Sequence, residues 1–151
     1  MVDSVRYHTG TPGETAECGK NFGISLIEEW GKGSHTHACV VCCFGDLGAG
    51  KTTFIQGIGK SLGITNRLLS PTFIIVRRYE PEYGFAYLYH IDLYRFGEGN
   101  SQDTLGLSEI LSDPKSLVCI EWAEKLPTLP KKRIECRFYS NPDGSHDIDI
   151  T

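Results

Sequence analysis

The sequence predicts an α/β fold built on a mixed sheet, and three observations support this prediction. Apolar runs of strand length alternate along the chain with segments whose apolar residues have helical spacing. A glycine-rich loop joins one such run, residues 38–44, directly to a helical segment, residues 52–62. Two later runs, 73–79 and 85–92, are separated by turn residues and should form an antiparallel hairpin. We expect one domain over residues 1–151, because no linker or low-complexity stretch divides the chain.

The composition is that of an ordinary globular protein. The chain has 151 residues, of which 40% are hydrophobic and 23% charged, and its net charge is −4. No apolar stretch approaches the ~20 residues that cross a bilayer, and the N-terminus lacks the apolar core of a signal peptide. We therefore expect a cytoplasmic protein with no membrane association. The negative charge argues against a broad nucleic-acid surface, and the basic run Lys131–Arg133 is more typical of a solvated face than of a phosphate patch.

The first helix is expected to begin at Pro12. Thr11 and Glu14 have the spacing of a capping box, and proline favours the first helical position. Apolar residues then recur along one face as far as Trp30. A loop over residues 31–37 should lead from this helix to the next strand.

The segment Ala38–Phe44 contains only apolar side chains, which is typical of a strand buried on both faces in a helix-covered sheet. The helix that follows has an apolar face at helical spacing, formed by Phe54, Ile55, Ile58 and Leu62. Gly63 lies where a helix usually ends.

Between these two elements, Gly45–Thr52 fits the pattern G-x-x-x-x-G-K-[ST], the phosphate-binding loop of nucleoside-triphosphate enzymes. In such a loop the backbone N–H groups face the phosphates, Lys51 reaches the β and γ phosphates, and the Thr52 hydroxyl binds Mg²⁺. A chance glycine-rich turn is disfavoured because a strand precedes the motif and a helix follows it. We therefore predict, more specifically, a three-layer α/β domain of the P-loop NTPase type.

The expected nucleotide is ATP, because the chain lacks the Asn-Lys-x-Asp signature of a guanine-selective pocket. The phosphate loop with Thr52 makes Mg²⁺ the expected second cofactor. The loop residues expected to bind the nucleotide are Asp46, Leu47, Gly48, Ala49, Gly50, Lys51, Thr52 and Thr53.

Two acids are candidates for a second magnesium anchor. Asp92 ends the second hairpin strand, and Glu121 ends the apolar run 117–120. The carboxyl ends of parallel strands form the ligand crevice of an α/β sheet, so both acids should approach the phosphates. The alternatives are that Glu121 is a surface acid and that Asp92 only caps the turn after it.

Three further features are candidates for roles in the same region. Ser70–Thr72 is a candidate switch whose hydroxyl senses the γ-phosphate, and a simple strand-entry turn explains it almost as well. Trp122 is a candidate guard of the site, although an aromatic residue after a buried strand is more often part of the core. Arg95 is the candidate for a catalytic arginine, with pairing to a nearby acid as the favoured alternative.

The remaining elements carry little chemistry. A short helix is expected from Asp103 to Leu111, and a last strand pair over residues 134–139 and 146–150. Cys39 and Cys42 form a C-x-x-C pattern, but side chains three residues apart on a strand point to opposite faces and do not chelate one ion easily. The six cysteines are therefore interpreted as small buried hydrophobic residues.

Four blocks together resemble one known family. They are Gly45–Thr53, Ser70–Phe73, His90–Arg95 and Ile120–Trp122, and their order and spacing match the bacterial tRNA threonylcarbamoyladenosine biosynthesis ATPase family, also called the TsaE/YjeE family. The resemblance runs from about Thr11 to the last strands. The presence of both the phosphate loop and the His-x-Asp-Leu-Tyr-Arg block is the feature that is specific to this family.

The resemblance implies an Mg-dependent ATPase, weak alone, that works with a threonylcarbamoyl-transferase catalytic subunit and its inactive paralogue. Those partners place threonylcarbamoyl on adenosine 37 of tRNA, and ATP hydrolysis resets their complex between cycles. This protein would contact tRNA only through that complex.

The resemblance also implies a role for each site residue that matches a residue of the family's motifs. Lys51 would hold the phosphates, Thr52 and Glu121 would hold Mg²⁺, and Asp92 would position or activate water. Trp122 would lie near the nucleotide, and Thr72 would contact it from the switch. The alternative functions are a P-loop small-molecule kinase and a nucleotide-sensing module.

Overall fold

A computed structural model of the chain describes residues 4–64, 76–97 and 106–151. Its helices and strands, in chain order, are β1 (Val5–Thr9), α1 (Pro12–Gly31), β2 (Cys39–Phe44), α2 (Lys51–Ser61), β3 (Val76–Tyr79), β4 (Tyr87–Asp92), α3 (Leu107–Leu111), β5 (Ser116–Glu121), β6 (Ile134–Ser140) and β7 (His146–Ile150). A short 3-10 helix, Ala123–Lys125, follows β5.

The described strands form one seven-stranded sheet in the order β1-β7-β6-β2-β5-β4-β3. The four central strands are parallel, because β2 pairs in parallel with β5 and β6, and β4 pairs in parallel with β5. Antiparallel pairs flank this centre on both sides. The predicted mixed α/β sheet is confirmed, and so is the hairpin after α2, although its first residues, 73–75, lie outside the described part of the chain.

Helices cover both faces of the sheet. On one face, Cys39, Val41 and Cys43 of β2 pack with apolar residues of α1 and α2. The alternate residues of β2, among them Cys42, pack with residues of α3 and of the segment after β5. All six β2 residues are buried, as expected of a strand covered on both sides. Cys39 and Cys42 lie in different layers, which confirms that this pair does not form a chelate.

Helices α1 and α2 approach closely through glycines. A β-carbon on Gly19 would lie 2.0 Å from the carbonyl oxygen of Phe54, and one on Gly57 would lie 2.0 Å from that of Ala16. The start of α1 is fixed by the predicted cap, since the hydroxyl of Thr11 accepts a hydrogen bond of 3.1 Å from the N–H of Glu14.

The strand β1 was missing from the sequence prediction, whose first element was the helix beginning at Pro12. Four of the five β1 residues are exposed. Val5 and Tyr7 do alternate with Arg6 and His8, but this short period-2 pattern was not used in the prediction. Its pairing with β7 is reinforced by Arg6 with Asp149 at 2.6 Å and His8 with Asp147 at 2.7 Å. These partners lie near the far end of the chain, where local sequence patterns give no signal.

The described part of the predicted short helix, α3, ends at Leu111 as expected, and residues 103–105 lie outside the described ranges. Within the described residues, no helix has the length and apolar character needed to span a bilayer.

Candidate functional site

The glycine-rich loop, residues 45–50, turns the chain from the end of β2 into the start of α2. Gly45, Gly48 and Gly50 have φ values of +145°, +80° and +99°, in the range that favours glycine. A β-carbon on Gly45 would also lie 2.6 Å from the carbonyl oxygen of Phe138 on β6. Glycine at this position is therefore required both by the backbone conformation and by the neighbouring strand.

Lys51, the first residue of α2, extends its side chain back inside this loop. Its Nζ donates hydrogen bonds to the carbonyl oxygens of Gly45 at 2.6 Å and Asp46 at 2.8 Å. The residue is only 4% exposed, and burial lowers the pKa of its ammonium group. The same Nζ lies 4.2 Å from the ring centroid of Trp122, within the range of a cation–π contact.

Glu121, the last residue of β5, connects this helix to the sheet. Its Oε1 accepts a hydrogen bond of 2.7 Å from the hydroxyl of Thr52, one residue into α2. Its Oε2 lies 2.5 Å from Nε2 of His90 on β4. Because Glu121 is 3% exposed, the interpretation of this residue as a surface acid is wrong.

Asp92 ends β4 beside Glu121, which is its partner in the parallel pairing of β4 with β5. The carboxylate is 6% exposed, and its Oδ1 accepts a hydrogen bond of 3.0 Å from the N–H of Tyr94. Asp92 therefore caps the turn after β4, as the alternative prediction held, and it lies beside Glu121 at the same end of the sheet. The approach of both acids to the phosphates stays a prediction.

Trp122 follows Glu121 with φ of +58°, a left-handed conformation that costs a bulky residue roughly 1–2 kcal/mol. This conformation lets its indole ring lie over Lys51 and 5.2 Å from the ring of Tyr94. The ring is half-buried and also packs against the apolar layer on the α3 face. Both predictions for Trp122, proximity to the site and contact with the core, describe part of its position.

A cavity of about 320 Å³ brings most of the predicted site residues together. The predicted residues that line it are Leu47, Gly48, Ala49, Gly50, Lys51, Thr52, Thr53, Asp92, Glu121 and Trp122. Asp46 is placed beside the cavity by its carbonyl contact with Lys51. Thr72 and the candidate switch Ser70–Thr72 lie outside the described residues.

Two residues that sequence reasoning did not assign also line this cavity, Tyr94 and His146. Tyr94 belongs to a block that was noticed, so its position next to Asp92 was a usable signal. His146 begins β7, and the pairing of β7 with β6 and β1 brings it near the loop. Pro12 and Thr15 of α1 complete the wall.

A second cavity, of about 540 Å³, lies between α1 and the β1 side of the sheet. Its walls are mainly apolar and include Phe22, Trp30 and Ile150. It contains none of the predicted site residues. We therefore take the smaller, more polar cavity beside the glycine-rich loop as the candidate site.

The donor atoms of the site suit a hard cation. In the described part of the chain, no group of three or more His, Cys, Asp and Glu residues could hold a metal by itself. Thr52 and Glu121 instead offer a hydroxyl and a carboxylate whose oxygens are 2.7 Å apart. Magnesium typically takes one or two such protein oxygens and completes its shell with water and phosphate.

The cysteines take no part in this site. Five of them are buried and Cys18 is half-buried, which confirms the interpretation as hydrophobic residues for the five. Burial raises the pKa of Cys39 and of Cys42 to about 12, so these thiols are protonated at neutral pH.

Fold and site together define a mixed α/β protein with a polar cavity at the carboxyl ends of its parallel strands, beside a glycine-rich loop that leads into a helix. Comparison with known proteins identifies the family. The model of the threonylcarbamoyl adenosine biosynthesis protein TsaE family matches residues 11–148, and the chain belongs to this family. The resemblance inferred from the four sequence blocks is confirmed.

Curated relatives agree with this assignment. The chain is 39% identical to the tRNA threonylcarbamoyladenosine biosynthesis protein TsaE of Nostoc sp., over 87% of this chain and 78% of the relative. It is 33% identical to the protein of that name from Treponema pallidum, over 91% and 93% of the two chains. The crystal structure of Bacillus subtilis YdiB is similar, with a TM-score of 0.73 and 28% identity, covering 99% of this chain and 86% of that one.

Proposed function

We propose that this protein is an Mg-dependent ATPase of P-loop type that acts in the biosynthesis of threonylcarbamoyladenosine in tRNA. The observation that carries the proposal is the hydrogen bond between Thr52 and Glu121 at the mouth of the glycine-rich loop, with Lys51 held inside that loop. The curated relatives are named for the same tRNA modification. Its partners would be the threonylcarbamoyl-transferase catalytic subunit and the inactive paralogue of that subunit.

The loop suits the phosphates of ATP. The N-terminus of α2 provides a partial positive charge and free backbone N–H groups, which together favour anions. Lys51 adds a full positive charge on the inner side of the loop. A phosphate group of ATP would replace the loop carbonyls as the partner of the Lys51 ammonium, because an ionised oxygen is the stronger acceptor.

Thr52 and Glu121 fit the role of magnesium ligands, and bound Mg²⁺ would neutralise charge that builds up on the transferred phosphoryl group. The buried carboxylate of Asp92 lies next to this pair and would orient the attacking water. Trp122, whose ring covers Lys51, would pack beside the nucleotide.

The composition of the cavity supports dependence on partners. Among the described residues that line the cavity, none is an arginine. An arginine supplied by another protein accelerates related phosphoryl transfers by ~10³–10⁵. We therefore propose that ATP hydrolysis is slow in the isolated protein and that the partners supply or order the missing group, so that hydrolysis resets the transferase complex.

Measurement of phosphate release from ATP with Mg²⁺ tests this proposal, for the protein alone and with the two transferase subunits and tRNA. We expect a low rate alone and a sharp rise with the partners. Asp92→Asn should lower the stimulated rate while nucleotide binding persists. Asp113→Asn, which changes a half-buried acid before β5 that does not line the cavity, is the matched control and should have the wild-type rate.

A rate that is indifferent to the partners would contradict the proposal. Release of ADP only when a small acceptor is present would indicate a small-molecule kinase. Tight ATP binding with no change in rate on Asp92→Asn would indicate a nucleotide-sensing module.

A further inference from the structure

His90 is a polar side chain enclosed in an otherwise apolar layer. It is the fourth of the six residues of β4, and its exposed fraction is 0%. Leu88, two residues earlier and therefore on the same face of the strand, belongs to the core against α1 and α2. Cys119, its partner on β5, is also fully buried. A leucine or phenylalanine would fill this position without burying a polar group.

The imidazole makes one specific polar contact. Its Nε2 lies 2.5 Å from Oε2 of Glu121. Its other nitrogen, Nδ1, is buried and has no hydrogen-bond partner in the part of the chain that the structure describes. An unsatisfied buried nitrogen destabilises the folded state. The contact with Glu121 is therefore the feature that distinguishes histidine from an apolar residue here.

This contact completes a clamp on the Glu121 carboxylate. One carboxylate oxygen accepts from the Thr52 hydroxyl and the other faces the His90 ring, so both ends of the group are fixed. Because an ionised carboxylate only accepts hydrogen bonds, Nε2 is the donor. The ring has only two rotatable bonds and is surrounded by packed neighbours, so it is a rigid support for a longer and more flexible glutamate side chain.

We propose that His90 is a positioning residue that holds Glu121 in the orientation needed to bind a divalent cation together with Thr52. This inference rests on the proposed function, since it deepens the role of the same site. Hydrogen-bonding groups behind metal ligands orient the ligands, and their loss typically weakens metal affinity by about 10–100-fold. His90 itself touches neither the cavity nor the reacting groups, because it does not line the cavity.

The test uses two substitutions at this position and one control. His90→Phe keeps a ring of similar volume but removes the donor. His90→Gln keeps an N–H at about the distance of Nε2. Tyr89→Phe, on the opposite face of the same strand, removes a polar group from β4 without touching the clamp. Mn²⁺ is titrated into each protein with a non-hydrolysable ATP analogue, and free Mn²⁺ is followed by electron paramagnetic resonance.

We expect His90→Phe to weaken Mn²⁺ affinity by about 10–100-fold, and His90→Gln to restore most of it. Affinity for the nucleotide, measured in EDTA, should be the same in all variants. A general structural defect would lower this affinity as well. Wild-type Mn²⁺ affinity in His90→Phe would overturn the inference while leaving the proposed function intact. Absence of nucleotide-dependent Mn²⁺ binding in the wild-type protein would overturn both.

If His90→Phe does not fold, NMR of the wild-type protein tests the same inference. The His90 Nε2–H resonance, assigned by its loss in His90→Gln, should stay protected from exchange with water after addition of Mg²⁺ and the analogue. Loss of protection on addition would show that His90 releases Glu121 when the metal binds, and the inference would be wrong.

Discussion

The close contact between α1 and α2 makes Gly57→Ala a sharp test of the structure, because two effects of the substitution oppose each other. Gly57 lies inside α2, where alanine is intrinsically favoured over glycine by about 1 kcal/mol. On helix propensity alone, Gly57→Ala should stabilise the protein. The structure predicts the opposite sign.

The magnitude follows from the space around Gly57. A β-carbon there would lie 2.0 Å from the carbonyl oxygen of Ala16, which is about 1.4 Å short of the 3.4 Å at which ordinary contact begins. The obstacle is helix backbone and does not rotate away, so the helices must separate. Overpacking of this kind costs about 1–3 kcal/mol, and we take the upper end. After the propensity gain is subtracted, the net destabilisation is about 2 kcal/mol.

The assay is thermal unfolding followed by circular dichroism. For a chain of this length, about 2 kcal/mol corresponds to a fall in Tm of roughly 4–8 °C. Gly31→Ala is the matched control, because no atom lies within 4 Å of a β-carbon placed at that end of α1. Its Tm should equal or slightly exceed that of the wild type. A Gly57→Ala protein as stable as the Gly31→Ala protein would refute the close packing of α1 on α2.

Three further predictions concern single groups. The change in tryptophan fluorescence on adding ATP and Mg²⁺ should disappear in Trp122→Phe and persist in Trp30→Phe, because only the Trp122 ring lies over the loop lysine. The reverse result would show that the nucleotide does not bind in this cavity. With an aromatic disulfide reagent at about pH 8, Cys18 should react first, though slowly, because burial raises its pKa to about 11, and the five buried cysteines should react only on unfolding. Hydrogen bonds from the Ser116 hydroxyl and a backbone N–H hold the pKa of Asp113 below its ordinary value. The Asp113 carboxylate therefore stabilises the folded state fully at pH values above its ordinary pKa, and this stabilisation is lost as the pH falls through the lowered pKa. Ser116→Ala should raise the Asp113 pKa measured by NMR titration, and an unchanged pKa would contradict this.

Local spacing predicted the elements whose signals lie close together in the sequence. The capping box at Thr11, the loop glycines and the helix after Lys51 each depend on residues within a few positions, and the structure places them as expected. The apolar run that forms β2 was equally clear, because burial on both faces removes every polar residue.

Features that depend on distant pairing were harder to predict. β1 is stabilised by partners near residue 149, and four of its five residues are exposed, so little core burial marks it. His90 lies within a block that was noticed, but its partner Glu121 is 31 positions away, and periodicity does not reveal which residues of two strands lie side by side. His146 joins the cavity through strand pairing alone.

The register of the parallel strands connects the fold to the site. Glu121 is paired with Asp92 on one side and with Cys43 on the other, which puts the two acids level with the start of the glycine-rich loop. A slip of β5 by one residue would turn Glu121 to the opposite face of the sheet, away from Thr52 and His90, and would bury its carboxylate without those donors. The apolar residues of β2 are buried on both faces and discriminate weakly between such registers. The polar residues of the site therefore also select the strand register that assembles them.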